Sequence, residues 1–306
     1  IVELSGKALQ SLGESRLSWG QGEAGFAVNR RENNQEKAAE LRAAMALKGP
    51  VDHDVPVLCV KSPDGTVKGV VFGYACHCTT LSTNHFSGDY AGYAMIELEK
   101  TYPDAVALFV AGCGADQNPL PRRTVELAEQ YGKQLANSVK RTVKGPLRPV
   151  LGSLRTAYEE IDLNFAPIPD RSQWEQEAQS DQFARANRAR MFLKQLDSGG
   201  SLPESYPYPV QVWRLGDLTW FFLGGEVVVD YALRIKRNLG PDTFVSAYCN
   251  DVMAYSPSLR VLQEGGYEGA GAMVYYGLPG PWADDVEERI ITNLLKLLNR
   301  TQEEGR

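Results

Sequence analysis

VPVLCVKSPDGTVKGVVFGYACH, residues 55–77, decides how this sequence folds. Two Val-rich runs, 55–62 and 67–77, flank Pro63-Asp64-Gly65. β-branched residues suit extended backbone, and a Pro-Asp-Gly triplet suits a tight turn, so the stretch reads as a β-hairpin. From Val70 to Cys76 the second run is apolar almost without a break. It reads as a strand buried on both faces, inside a sheet covered by other layers. It ends in a histidine, His77.

The pattern extends outward. AVALFVAGC at 105–113 predicts another buried strand, and between the two lies a helix over Asp89–Lys100 with Ser87 as its cap. Residues 124–144 predict a long amphipathic helix, and 148–165 a long strand or strand pair. A second hairpin occupies 209–226 and turns at Gly216-Asp217. A helix over 227–239, a strand over 242–250, a Gly- and Tyr-rich irregular region over 255–281 and a last amphipathic helix over 284–300 follow. On the N-terminal side the pattern gives a helix over 1–12, an irregular or extended stretch over 16–30, and a loop with one short helix over 32–54. Residues 170–198 are charged and helix-forming, the pattern of an exposed helical insertion. No repeat and no Pro/Ser linker divides the chain. The expectation is α/β: mixed β-sheets packed with helices in one domain over 1–306.

Composition narrows the function classes. Lys plus Arg is 32 and Asp plus Glu is 38, a net charge of −6, which argues against a nucleic-acid partner, since phosphate binding needs clustered cations. Arg30-Arg31, Arg122-Arg123 and Lys140-Arg141 are short pairs and read as solvated faces. Five cysteines without a CxxC pair exclude a dense disulfide scaffold and a zinc ribbon. Cys76 and Cys78, flanking His77, read as small buried residues. No apolar run is long enough for a transmembrane helix. The chain opens on Ile1 inside a helix-like stretch, which reads as N-terminal truncation.

In α/β folds ligands gather beyond the carboxyl ends of strands. Four predicted strands end in chemistry-bearing residues. One ends in His77, one in CGADQNP (113–119), one in Gly225-Glu226, and one in Asn250-Asp251 shortly before Tyr255. If these ends share one edge, His77, Asp116, Asn118, Glu226 and Tyr255 converge. Each has two readings. His77 is a metal ligand or a hydrogen-bonded structural residue, and Glu226 is a helix-terminal carboxylate or a ligand or base. The 113–119 loop is an Asx-bonded turn or a set of oxyanion donors. His85, Asp89 and Gly114 are further loop candidates, and His53 reads as surface. GxSxG, GxxxxGK[ST], GxGxxG and HExxH are all absent, so neither a serine-hydrolase elbow nor a nucleotide site is indicated.

Several segments together resemble the neutral, non-lysosomal ceramidases. GVVFGYACHCTTLSTNHFSGDYAGYA (69–94) is similar to their FAVHPTSM…TN…ISGDNKGYA segment, and GFAVNRR (25–31) to their INRSP segment. LFVAGCGADQNP (108–119), GGEVVVDYALRIKR (224–237), and NDVMAYSPS (250–258) followed by YEGA (267–270) match further segments in the family's order. The resemblance implies a ceramidase-like catalytic domain in which zinc, held by two His, one Glu and one Tyr, activates water to cleave an N-acyl amide. Residue by residue it places zinc ligands at His77, Glu226 and Tyr255, with Asn29, Arg30, Asp116 and Asn118 as catalytic or substrate-positioning residues. It implies a lipid or small-molecule amide substrate and a secreted or periplasmic location. Three departures accompany it. The family's HxH segment lies upstream of the matched region, Gln117 falls near the Ser of the family's GDVSPN motif, and no immunoglobulin-like domain follows residue 300. The competing reading is a non-catalytic ligand-binding protein that retains the ceramidase fold.

Overall fold

The computed structural model describes residues 1–303. Residues 55–77 form the hairpin their pattern predicts. Ser62 N–H donates to Thr66 O at 2.9 Å across the turn, and Asp64 accepts from the Ser62 hydroxyl and the Thr66 N–H. In chain order the strands are β1 (Arg16–Glu23), β2 (Ala27–Asn29), β3 (Asp54–Lys61), β4 (Val67–Tyr74), β5 (Val106–Ala111), β6 (Gln117–Pro119), β7 (Arg148–Pro149), β8 (Leu154–Asn164), β9 (Ser205–Leu215), β10 (Leu218–Leu223), β11 (Glu226–Val227), β12 (Thr243–Ser246) and β13 (Tyr255–Ser256).

Two sheets dominate. The first runs β5-β4-β3-β1-β7, with β4 and β5 parallel and the other neighbours antiparallel. The second runs β12-β10-β9-β8, with only β10 and β12 parallel. Successive strand residues face opposite ways, and here each way meets a different apolar layer. In β10, Leu218, Trp220 and Phe222 join Trp19, Leu58 and Phe244 between the sheets. The intervening Phe221 and Leu223 pack beneath the helices Val229–Leu239 and Val286–Glu303. In β4, Val70, Phe72 and Tyr74 pack under the helices Asp89–Thr101 and Val125–Lys144, while Val71 points between the sheets. The result is four layers, helix-sheet-sheet-helix, which explains the unbroken apolar runs. Trp19 meets Phe244 edge-on across the sheet interface, with centroids 5.7 Å apart.

Several expectations are corrected. The 105–113 strand is not buried throughout. It is the outer strand β5, and Val106 and Leu108 are 58% and 52% exposed because, among the described residues, no strand or helix covers that side. The 148–165 stretch is a pair whose members, β7 and β8, belong to different sheets. β4 ends at Tyr74, so strand alternation no longer holds at 76–78, and Cys78 is exposed while Cys76 is buried. The 170–198 stretch is helical and mostly exposed, as expected, and its two helices, Arg171–Glu177 and Phe183–Asp197, also enclose a small core of Trp174, Ala178, Ala189 and Phe192. The 255–281 region carries short elements: helix Leu259–Glu264, a π-helical turn Tyr267–Gly271 and helix Met273–Tyr276. Segments of four to six residues are too short to display a helical period.

The topology places four strand ends at one edge. Both parallel pairs, β4–β5 and β10–β12, finish there. Ala247 N–H donates to Ala111 O at 2.9 Å and Ala115 N–H to Val227 O at 3.1 Å, tying the ends of the two sheets together.

Candidate active site

Two glycines shape the site. β10 ends at Leu223, and Gly225 turns the chain at φ +72°, where a Cβ would lie 2.6 Å from Ala254 O. That turn starts β11, which pairs in parallel with β13 so that Glu226 lies in register with Tyr255. On the other sheet, Gly114 lets the 113–119 loop run flush against residues 75–76, since a Cβ there would sit 2.4 Å from Cys76 N. The loop thereby carries Ala115 O to 2.8 Å from His77 Nε2. It continues into β6, which pairs with β2 and sets Asn29 opposite Gln117.

His77, Glu226 and Tyr255 therefore come together at one site. His77 Nε2 lies 3.8 Å from Glu226 Oε2, with both side chains about seven-eighths buried. Nε2–H donates to Ala115 O, which leaves Nδ1 as the lone-pair nitrogen. Tyr248 OH lies 3.4 Å from that nitrogen and 3.1 Å from Glu226 Oε2, and its single proton goes to the nearer carboxylate. Tyr276 OH donates to the other oxygen, Glu226 Oε1. Burial, followed by Arg30, holds the His77 pKa below its ordinary value, so the imidazole is neutral near pH 7. Burial pushes the Tyr248, Tyr255 and Tyr276 phenols up, each reinforced by Glu226, so they keep their protons.

Arg30 connects this pocket to its surroundings. Its Nη2 donates to Tyr255 OH at 3.2 Å and its Nε to Glu268 Oε1 at 2.7 Å. Arg31 holds the other Glu268 oxygen at 2.6 Å. Burial alone would raise the Glu268 carboxyl, but Arg30 and Arg31 outweigh it and hold the pKa below the ordinary carboxylate range. Arg30, Arg31, Asn118, Arg122, Tyr267 and Glu268 line a cleft of about 450 Å³ beside the pocket.

The remaining candidates are placed as follows. Asp116 is fully buried. Its Oδ1 accepts the Val229 N–H at the start of the Val229–Leu239 helix at 2.9 Å, and its Oδ2 accepts from Asn29 Nδ2 at 3.1 Å. Burial raises its pKa despite those bonds. Asn29 also donates to Pro50 O and accepts from the Arg31 N–H, so it braces the turn that presents Arg30. Asn118 is buried against the cleft, and Gln117 beside it donates to Pro50 O at 3.3 Å. Asp89 is buried at φ +50° and accepts the Leu81 N–H at 2.8 Å, pinning the loop after His77. His85 lies exposed on that loop, apart from His77 and Glu226. His53, read as surface, is half-buried with Nε2 3.0 Å from Ala27 O. Tyr248, Tyr276 and Glu268 were not singled out from sequence. Only Glu268, within the YEGA match, carried a signal.

No protein-family model and no curated protein matches the sequence. Solved structures do. A ceramidase complexed with C2 superposes with TM-score 0.72 at 16% identity, over 98% of this chain and 55% of that one. The neutral ceramidase from Pseudomonas aeruginosa superposes with TM-score 0.69 at 16% identity, over 97% of this chain and 54% of that one. The fold is that of the neutral ceramidases. The chain spans about half the length of these ceramidases, and the likeness reaches across nearly all of this chain.

A zinc ion needs about four donors, with an open position for water at a catalytic site. Among the described residues no three His, Cys, Asp or Glu side chains cluster as a metal site, so the set reaches three donors only through the Tyr255 phenol. The donor chemistry fits nonetheless. A neutral imidazole with one nitrogen bonded to a backbone carbonyl is the usual state of a zinc-binding histidine. Among the described residues Glu226 has no Lys or Arg partner, and its two oxygens accept from the Tyr248 and Tyr276 phenols. A divalent cation would complement it.

Proposed function

We propose that this chain carries the hydrolytic site of a zinc-dependent amidohydrolase that cleaves N-acyl amide bonds of a ceramide-like kind. The observation that carries the reading is the meeting of His77, Glu226 and Tyr255 from three separate strand ends at the edge where the parallel pairs β4–β5 and β10–β12 finish. These residues would hold the zinc, which when bound supplies a Lewis acid and a water of lowered pKa. The chemistry adds water across the amide C–N bond and releases a carboxylic acid and an amine. In this reading the neutral His77 and the anionic Glu226 provide the donors. Tyr248 and Tyr276 stay protonated and hold the Glu226 carboxylate in one orientation. Arg30 places a fixed positive charge beside Tyr255, where negative charge gathers as the carbonyl is attacked. Asp116 and Asn29 act as positioning residues that lock Arg30 and the Val229–Leu239 helix together.

The test is elemental analysis of the purified chain after zinc loading and desalting, beside His77→Ala and Glu226→Ala, with hydrolysis of N-acyl amides assayed in parallel. One zinc per chain, lost in both variants together with turnover, is the expected result. Wild-type turnover in both variants would overturn the reading. Absence of zinc and turnover in the wild type would leave the ligand-binding protein as the better account.

A further inference from the structure

The cleft beside the zinc-ligand candidates contains two polar groups that the hydrolytic reading does not use. Among the described residues, Arg122 takes part in no ion pair, whereas Arg30 and Arg31 are matched by Glu268 and Glu264. The remaining cleft carboxylate, Glu32, is exposed at the rim. Asn118 is 1% exposed, and its Nδ2 has no hydrogen-bond partner among the described residues. An acceptor supplied to an unpaired buried donor recovers about 1–3 kcal/mol.

The neighbouring bonds engage the other end of that amide. Arg122 Nη1 donates to Thr79 Oγ1 at 3.2 Å, and the Thr79 hydroxyl is oriented toward Asn118 Oδ1 at 3.5 Å. With the Thr79 proton directed to Oδ1, the Asn118 NH₂ is the end of the side chain left without a partner among the described residues, and Asn118 lines the cleft. Burial, Arg123 and then Arg30 lower the Arg122 pKa, yet it stays a cation under any working condition.

We propose that Arg122 and Asn118 form a carboxylate subsite, so that the amide substrate is an N-acyl amino acid rather than a neutral ceramide. This rests on the hydrolytic reading above and deepens it. A planar guanidinium and an amide N–H together match the two oxygens of a carboxylate. Arg30 reaches from this cleft to Tyr255, so a substrate anchored here by its carboxylate presents the adjacent amide to the candidate zinc pocket.

The experiment is a ligand-observed NMR titration of the chain without added metal. The probes are N-acetylglycine, its uncharged analogue N-acetylglycinamide, and inorganic phosphate. N-acetylglycine is expected to bind about tenfold or more tightly than either of the others, a difference of about 1.4 kcal/mol or more. Arg122→Gln and Asn118→Asp should each lose that preference, and Arg122→Gln should keep the wild-type urea midpoint within about 0.5 kcal/mol. Lys140→Gln, which removes a charge from the Val125–Lys144 helix, should leave it unchanged. Absence of N-acetylglycine binding, equal binding of the uncharged amide, or full affinity in Arg122→Gln would each overturn the subsite. Phosphate binding as tightly as N-acetylglycine would overturn the carboxylate assignment. Carboxylate binding without zinc or turnover would remove the hydrolase reading and leave the subsite standing. Turnover of neutral amides with no anion preference would do the reverse.

Discussion

Replacing Asp116 separates a residue that acts on substrate from one that holds the site together. Its carboxylate is wholly buried, and both oxygens are engaged, by the Val229 N–H at 2.9 Å and Asn29 Nδ2 at 3.1 Å. Asp116→Ala orphans the Val229 N–H and removes one of Asn29's two acceptors, the other being Pro50 O. Losing a buried partner costs about 1–3 kcal/mol for each donor, and Asn29 loses only part of that. The carboxylate also faces the N-terminus of the Val229–Leu239 helix, which adds about 0.3–1 kcal/mol. Against these losses stands the relief of desolvation already visible in the raised Asp116 pKa. The net expectation is about 3 kcal/mol of destabilisation for Asp116→Ala. Asp116→Asn keeps an acceptor for Val229 but sets its NH₂ against that of Asn29, costing about 1–2 kcal/mol. In a chain of this size about 2 °C of Tm accompanies each kcal/mol, so the alanine variant melts about 6 °C lower. Urea denaturation followed by tryptophan fluorescence measures both variants, with amide hydrolysis measured where each is folded. A wild-type midpoint for Asp116→Asn combined with a kcat/KM loss of a hundredfold would refute the structural role and return Asp116 to the chemistry.

Three further outcomes follow from the same geometry. Gly225→Ala strains a φ of +72° and drives a methyl to 2.6 Å from Ala254 O, so it should cost about 2–4 kcal/mol and shift Glu226 away from Tyr255. Isothermal titration with zinc should show weaker binding than wild type, and unchanged affinity would contradict this account of the turn. The Glu268 carboxyl has a folded pKa below its unfolded value of about 4.5, so its stabilisation is complete above that pH and is lost as pH falls through the folded value. Urea midpoints from pH 6 to 3 should therefore fall more steeply in the wild type than in Glu268→Gln, and equal slopes would refute the pairing with Arg30 and Arg31. Trp220 stacks on Phe222 and donates its indole N–H to Ser246 Oγ at 2.7 Å between the sheets, so Trp220→Ala should lower stability by about 3–5 kcal/mol in thermal denaturation.

What the sequence revealed of this architecture depended on whether a property was local. The hairpin at 55–77 was readable because turn chemistry and β-branched runs act within a few residues. The edge position of β5 was not, because AVALFVAGC looks the same whether or not a further strand covers Val106 and Leu108. The site divides in the same way. His77 and Glu226 stood out because each interrupts an apolar run at a strand end, where a polar side chain needs a partner. Tyr248 and Tyr276 carried no such mark. A tyrosine among other aromatic residues is compositionally ordinary, and only the chain's course after β12 for Tyr248 and the return of the 255–281 region for Tyr276 give their hydroxyls Glu226 as an acceptor. The Arg30–Glu268 pair joins residues 238 positions apart, beyond the reach of any local pattern.

That division bears on how a fold persists at 16% identity. The four layers require only apolar residues on alternate faces of the strands, which many sequences satisfy. The pocket requires particular atoms at four strand ends, held by two glycines that admit no Cβ. Sequence drift is therefore tolerated through the layers and constrained at Gly114, Gly225 and the residues they place. Between these limits lies the cleft at Arg122 and Asn118, where side chains can change without disturbing either the layers or the candidate zinc ligands. In this chain, among the described residues, a cation without an ion-pair partner and an unpaired amide stand there beside the candidate zinc ligands.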